Sequence, residues 1–149
     1  MKQGPSALEV LGDMHGIPFS IKDNIQLKGK LTTVGCAFLC AEEFRDDTNA
    51  VVVQLMLRAG AIPLVKGNVP QSAINTLATN LVFGEMRHPL DQNRSTGGSS
   101  GGDAGLILSR CIPCSLGTDG GASIRIPAAF CGIYALKPST NRVSNKGHV

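Results

Sequence analysis

Two glycine-rich stretches decide the fold of this chain: Gly-Gly-Ser-Ser-Gly-Gly at residues 97–102 and Gly-Thr-Asp-Gly-Gly-Ala-Ser-Ile-Arg-Ile-Pro at residues 117–127. Glycine lets the backbone bend sharply and lets a substrate approach backbone N–H groups closely. The stretches carry the serines Ser99 and Ser123, and serine is a poor nucleophile unless a base lies beside it. One lysine, Lys22, lies far upstream in the mostly apolar segment Ile17–Asp23.

Linkers and nucleotide-binding loops also contain glycine clusters, but neither pattern fits well here. Flexible linkers are rich in glycine and serine, but these clusters are closely flanked by apolar residues that need burial. A phosphate-binding loop ends in lysine and a hydroxyl residue, whereas Asp103 follows Gly102 here. The glycine spacing of dinucleotide-binding loops is missing from both clusters. The pattern therefore favours catalysis over nucleotide binding.

Composition predicts an ordinary globular domain. The chain has 149 residues, 42% of them hydrophobic and 17% charged, with a net charge of +3. The basic residues are scattered and the aromatics are five Phe and one Tyr, so we expect no nucleic-acid partner. No apolar run is long enough for a transmembrane helix, which needs about 18 residues or more.

The five cysteines are interpreted as reduced thiols inside a cell, because an odd number does not suit a disulfide framework. Cys111 and Cys114 have the spacing of a redox or metal pair, and Cys36 and Cys40 would complete four ligands. Cys111 and Cys114 lie in an apolar run, however, and no histidine supports a metal site. Small buried hydrophobic side chains are the preferred interpretation, and we expect no metal site.

Helices alternate with short buried strands along the chain, which predicts an α/β fold. Thr48 or Asn49 is expected to cap the first helix, whose apolar residues run nearly all round, and Gly60 to end it. Residues 23–47 are expected to be mostly loop. The predicted strands cover residues 17–21, 61–65, 112–116 and 133–136, and the predicted helices cover residues 50–59, 70–79 and 103–109.

The glycine-serine motifs and Lys22 together resemble the amidase signature family, and the resemblance covers about residues 15–147. Within it, the segments 51–54, 68–72, 130–133 and 136–142 are most similar to fatty acid amide hydrolases. The resemblance implies a mixed sheet covered by helices. It also implies a Ser–cis-Ser–Lys triad in which Lys22 is the base, Ser99 is the bridging serine after a cis bond to Gly98, and Ser123 is the acylated nucleophile.

The same resemblance assigns supporting roles. Its oxyanion donors are the N–H groups of Gly120, Gly121, Ala122 and Ser123. The family usually has glycine at the position of Ala122, and a positive φ would strain an alanine there. Ser100, Thr118, Asp119 and Arg125 would brace the site, although a turn with a surface ion pair also accounts for Asp119 and Arg125. Asn68, Gln71 and Ser72 would bind substrate, although helix capping accounts for them nearly as well.

These assignments predict an amide hydrolase that uses no cofactor and acts on a small-molecule amide, most similar to fatty acid amide hydrolases. The alternatives are a short-chain amidase, an enzyme like the A subunit of glutamyl-tRNA amidotransferase, or a non-catalytic fragment. We expect an intracellular protein, cytoplasmic or peripheral to an internal membrane. Residues 1–149 are interpreted as a single partial family domain that lacks N- and C-terminal parts and has no appreciable activity alone.

Overall fold

The computed structural model describes residues 11–149 as short strands and three helices. The strands are β1 (Pro18–Lys22), β2 (Ile62–Gly67), β3 (Thr79–Asn80), β4 (Gly84–Glu85), β5 (Arg87–His88), β6 (Asp91–Ser95) and β7 (Cys114–Leu116), and the helices are α1 (Val51–Arg58), α2 (Gly101–Leu108) and α3 (Arg125–Cys131). The central sheet has three strands in the order β2-β1-β7, and both neighbours run parallel to β1. Two further ribbons, β3-β4 and β5-β6, are antiparallel. The α/β fold class is confirmed.

The middle strand β1 has one apolar face and one polar face, because successive side chains point to opposite sides of a sheet. Phe19 and Ile21 are fully buried and form the hydrophobic core with α1. Ser20 and Lys22 are equally buried on the other face, which α2 covers. Lys22 ends β1, so its side chain lies at the carboxyl edge of a parallel sheet.

The first helix is confirmed, but its surroundings differ from the prediction. Only Val53 is buried in α1, and Leu55 is 55% exposed. The cap prediction is wrong: Ala50 is the N-cap and no side chain bonds there, since the Asn49 side chain accepts the Lys28 N–H instead, at 2.7 Å. Gly60 ends the helix with φ of +88°, as expected.

Two other predicted elements do not form, and one was missed. In place of a helix over residues 70–79 there is a single 3-10 turn, Gln71–Ala73. Ser72 and Ala73 have φ values of 59° and 55°, which an α-helix cannot continue through. Residues 133–136 are irregular. The sequence analysis did not predict α3, whereas loop over residues 23–47 is confirmed apart from two short 3-10 turns.

The remaining strand and helix predictions are confirmed within a few residues: β1, β2, α2 and β7 match residues 17–21, 61–65, 103–109 and 112–116. In β2, Ile62 and Leu64 are exposed rather than buried, and β2 is an edge strand of the central sheet within residues 11–149. All five cysteines are free; Cys36 and Cys131 are buried as expected, while Cys111 is exposed. Within the described residues, none of the helices is long and apolar enough to cross a membrane.

Candidate active site

Lys22 is the centre of a buried polar cluster at the end of β1. Its side chain is fully buried. The Nζ donates to the Ser99 hydroxyl at 2.7 Å, to the Thr118 hydroxyl at 2.8 Å and to the Thr118 carbonyl at 3.2 Å. The three residues come from widely separated parts of the chain, and the parallel sheet brings them together.

Burial lowers the pKa of Lys22 from 10.5 to about 8, because the ammonium form loses its hydration. The negative charges of Asp103 and Asp119 act in the opposite direction and limit this decrease. At pH 7 about a tenth of the molecules therefore carry the neutral amine, compared with a negligible fraction for an exposed lysine. A lysine in this state can act as a base.

Ser99 lies just before α2 and is 1% exposed. The Gly98–Ser99 peptide bond is cis, as the resemblance implies. The glycines after it allow close packing: a Cβ on Gly102 would lie 2.0 Å from the backbone nitrogen of Asn68. The start of α2 therefore approaches the end of β2 closely, and this contact holds Ser99 over Lys22.

Ser123 and Ser99 line the same open cleft of about 490 Å³, together with Thr118, Gly120 and Gly121. The Ser100 N–H donates to the Ser123 carbonyl at 3.0 Å and so joins the two glycine-rich loops. Within residues 11–149 the Ser123 hydroxyl makes no hydrogen bond to any other side chain. Hydrogen bonds between catalytic groups often form only once substrate is bound.

Asp119 organises the turn that presents Ser123. Its carboxylate is 1% exposed and accepts the N–H groups of Ala122 at 2.7 Å and Ile124 at 3.2 Å. Arg125 donates to it from Nε at 2.9 Å and from a terminal guanidinium nitrogen at 3.0 Å. These bonds, with Arg125 the largest cause, hold the pKa of Asp119 well below its usual range. The Asp119 carboxylate is thus buried within a turn, while its ion-pair partner Arg125 is 55% exposed.

The hydrogen bond from the Ala122 N–H to Asp119 changes the expected set of oxyanion donors. The Ala122 N–H is directed at Asp119, so it is not available to a substrate oxygen. Ala122 also has φ of +83°, the conformation anticipated for the position where the family usually has glycine. Gly120, Gly121 and Ser123 line the cleft and remain as candidate donors.

The predicted substrate-binding residues lie beside the cleft rather than in its lining. Asn68 accepts a hydrogen bond from Asn80 at 2.7 Å, Gln71 is exposed, and the Ser72 hydroxyl lies 3.7 Å from the Cys36 sulfur. The segment that follows them lines the cleft instead, with Ala73, Ile74, Asn75 and Thr76. The displacement arises because the chain turns at residues 71–73 instead of continuing as the predicted helix.

Asp103 is a buried carboxylate that the sequence analysis did not assign to the site. It lies on α2, against the same face of β1 as Lys22, and its Oδ1 accepts the hydroxyls of Ser20 at 2.6 Å and Ser115 at 2.8 Å. Within the described residues its Oδ2 has no hydrogen-bond partner. Burial raises the pKa of Asp103 to about 6, against the opposing hydroxyl bonds and the charge of Lys22.

Comparison with known proteins identifies the family. The model of the amidase family matches residues 3–149. The chain belongs to the amidase family. This confirms the resemblance inferred from the glycine-serine motifs, and the cis bond and the buried lysine agree with what that resemblance implies.

Relatives of several kinds are similar to this chain. The A subunit of glutamyl-tRNA(Gln) amidotransferase from Treponema pallidum is 42% identical over 90% of the chain and 26% of the relative. Vitamin D3 hydroxylase-associated protein of Gallus gallus is 41% identical over 91% of the chain and 29% of the relative. A solved fatty acid amide hydrolase is 32% identical, with a TM-score of 0.88, over 93% of the chain and 24% of that protein. The chain thus spans less than a third of the length of these relatives.

Proposed function

We propose that this chain carries the catalytic centre of an amide hydrolase, with Lys22 as base, Ser99 as proton relay and Ser123 as nucleophile. The observation that carries the proposal is the 2.7 Å bond between the Lys22 amine and the Ser99 hydroxyl. The lowered pKa of Lys22 supports it, because a charged lysine cannot accept a proton. No histidine is needed in this variant of the triad.

The proposed reaction moves one proton along the three residues. Neutral Lys22 takes the proton of Ser99 while Ser99 takes that of Ser123, and Ser123 attacks the amide carbonyl carbon. The resulting tetrahedral intermediate collapses when the proton returns through Ser99 to the leaving nitrogen, which departs as an amine or ammonia. Water then hydrolyses the ester on Ser123 by the same proton path.

The oxyanion of that intermediate would be bound by the backbone. Gly120, Gly121 and Ser123 line the cleft, and their N–H groups are the proposed donors. A fixed donor of this kind contributes on the order of 10²–10³ in rate in serine hydrolases. In this proposal Asp119 stabilises the turn and holds the Ala122 N–H away from the substrate.

The substrate is proposed at two levels. A small-molecule amide follows from the family and from the reaction. A fatty acid amide is supported by the similarity to a solved fatty acid amide hydrolase. A short amide is the other candidate, because the cleft lining combines polar side chains such as Asn75 and Thr76 with the apolar Ile74 and Ile126. The similarity to a glutamyl-tRNA(Gln) amidotransferase supports that activity as a second candidate, in which a partner subunit would be required.

Covalent labelling tests the proposed nucleophile. In an amide-hydrolysing protein that contains this chain, a fluorophosphonate probe should label Ser123 and not Ser99, and labelling should fall by several orders of magnitude in Lys22→Ala because serine alone is nearly inert. Ser139 is exposed, so Ser139→Ala is the matched control for Ser123→Ala. Labelling that persists in Ser123→Ala would refute the assignment of the nucleophile.

Substrate preference is tested by comparing kcat/KM for oleamide and a short aliphatic amide in a protein that contains this chain and hydrolyses amides. A preference for oleamide supports the fatty acid amide assignment. A preference for the short amide supports a short-chain amidase, and activity only with an added partner subunit supports the amidotransferase candidate.

A further inference from the structure

Asn24 lies two residues after Lys22 and its side-chain orientation is defined by two neighbours. It is 7% exposed. The Nδ2 donates to the Val149 carbonyl at 3.3 Å, so the other end of the amide, Oδ1, faces the Thr118 hydroxyl at 3.2 Å. An amide oxygen is an acceptor only. The Thr118 hydroxyl must therefore be the donor in this contact.

This direction determines what Thr118 offers to Lys22. Because the hydroxyl proton of Thr118 points to Asn24, the oxygen presents lone pairs to the Lys22 amine at 2.8 Å, and the Thr118 carbonyl presents a second acceptor at 3.2 Å. A neutral amine has two N–H groups and one lone pair. With both N–H groups bound by Thr118, the lone pair is left to face the Ser99 hydroxyl at 2.7 Å.

We propose that Asn24 is a positioning residue that aims the lone pair of neutral Lys22 at Ser99, acting through the Thr118 hydroxyl. The inference rests on the proposed function of Lys22 as base. Without the Asn24 acceptor, the Thr118 hydroxyl can rotate and donate its proton to the amine lone pair. The amine would then be bound by Thr118 in a state that cannot receive the proton of Ser99.

The charged groups around Lys22 are distinct from this pair. Asp103 faces Lys22 from α2, Asp119 from the loop after β7, and His148 from the C-terminal segment. Asn24 and Thr118 carry no charge, so their exchange for neutral residues leaves those charges unchanged. A change in Lys22 behaviour that depends on both residues therefore reports hydrogen-bond direction.

A double-mutant cycle separates this role from simple packing. In an amide-hydrolysing protein that contains this chain, Asn24→Leu should slow fluorophosphonate labelling of Ser123 about tenfold, the kinetic equivalent of one misdirected hydrogen bond. In a Thr118→Val background, which has no hydroxyl to rotate, the same Asn24→Leu change should have less than about a twofold effect. Asn93→Leu, at an exposed position in β6, is the matched control and should label at the wild-type rate.

A second measurement does not depend on nucleophilic activity. NMR titration of ¹³C-labelled lysine should show a lower pKa for Lys22 in Asn24→Leu, because a Thr118 hydroxyl that is free to donate stabilises the neutral amine. The pKa should not change when Thr118→Val is already present. Equal effects of Asn24→Leu in both backgrounds, in labelling and in titration, would overturn the proposal. An absence of wild-type labelling with the expected titration would reject the proposed function while retaining the role of Asn24.

Discussion

Exchanging Lys22 for methionine removes a buried charge and replaces it with an apolar side chain of similar length. Below its folded-state pKa of about 8, Lys22 is protonated in both the folded and the unfolded chain. Burying the ammonium then costs the folded state about 3 kcal/mol, since each pKa unit of the decrease from 10.5 corresponds to about 1.4 kcal/mol. The Lys22→Met protein does not carry this cost.

The sign of the pH dependence follows from proton binding. As the pH rises from about 8 to 10.5, the unfolded chain still binds the lysine proton and the folded chain does not, so the wild-type protein becomes more stable relative to Lys22→Met. The part of the energy of the lost bonds to Ser99 and Thr118 that is the same for the ammonium and the neutral amine cancels when two pH values are compared. The change with pH therefore isolates the cost of the charge.

Urea unfolding measures this cost directly. The free energy of unfolding of wild type minus that of Lys22→Met should increase by about 3 kcal/mol between about pH 7 and 10.5. Lys30 is exposed, and the corresponding difference for Lys30→Met should change by less than about 0.5 kcal/mol. A difference for Lys22→Met that does not change with pH would mean that Lys22 titrates alike in both states, and the argument for a neutral base near pH 7 would fail.

Further predictions concern backbone geometry and the hydrogen bonds that the Asp119 carboxylate accepts. Ala122→Gly should raise the free energy of unfolding by about 1 kcal/mol because it relieves a φ of +83°, whereas Ala129→Gly, at an exposed position in α3, should lower it by about 1 kcal/mol in the same urea titration. Gly102→Ala should destabilise the chain by about 3 kcal/mol or more, since the new Cβ would lie 2.0 Å from the backbone nitrogen of Asn68. Gly120→Ala is the matched control: the position has open space around it, and the variant should fold normally by circular dichroism. Asp119→Ala should lower the free energy of unfolding by about 3 kcal/mol at pH 7. This difference from wild type should shrink as the pH falls below about 4. The pKa of Asp119 is lowered in the folded chain, so the stabilisation by its carboxylate is lost when acid protonates it.

The residues that meet in the candidate site were predictable through the family resemblance of short sequence motifs. The glycine-serine motifs and Lys22 are short, contiguous features of the sequence, and the resemblance that they carry implies the three residues of the proposed triad. The strand ending at Lys22 was also predictable, because a run of apolar residues before a polar one is typical of a buried strand. The sequence analysis stated only that a positive φ would strain Ala122, and the structure shows a φ of +83° there.

Elements whose formation depends on non-local contacts were not predictable. Residues 70–79 have a proline at a favourable helix start, but the backbone reverses at Ser72 and Ala73 to line the cleft with Asn75 and Thr76. The Leu55 side chain of α1 is exposed because only one face of the helix meets the sheet. Pattern alone does not show which apolar positions find a neighbour.

By itself, the sequence determined the family, the α/β class and the residue types of the proposed triad, since these depend on contiguous motifs. The tertiary structure decided how those residues are coupled. Parallel pairing brings β7 and the loop after it beside β1, and this places Thr118 between Asn24 and Lys22 and Asp103 beneath them. These partners lie roughly 80 to 100 residues apart in the chain, and no local pattern encodes a distance of that kind. The lowered pKa of Lys22 is therefore a property of the assembled fold.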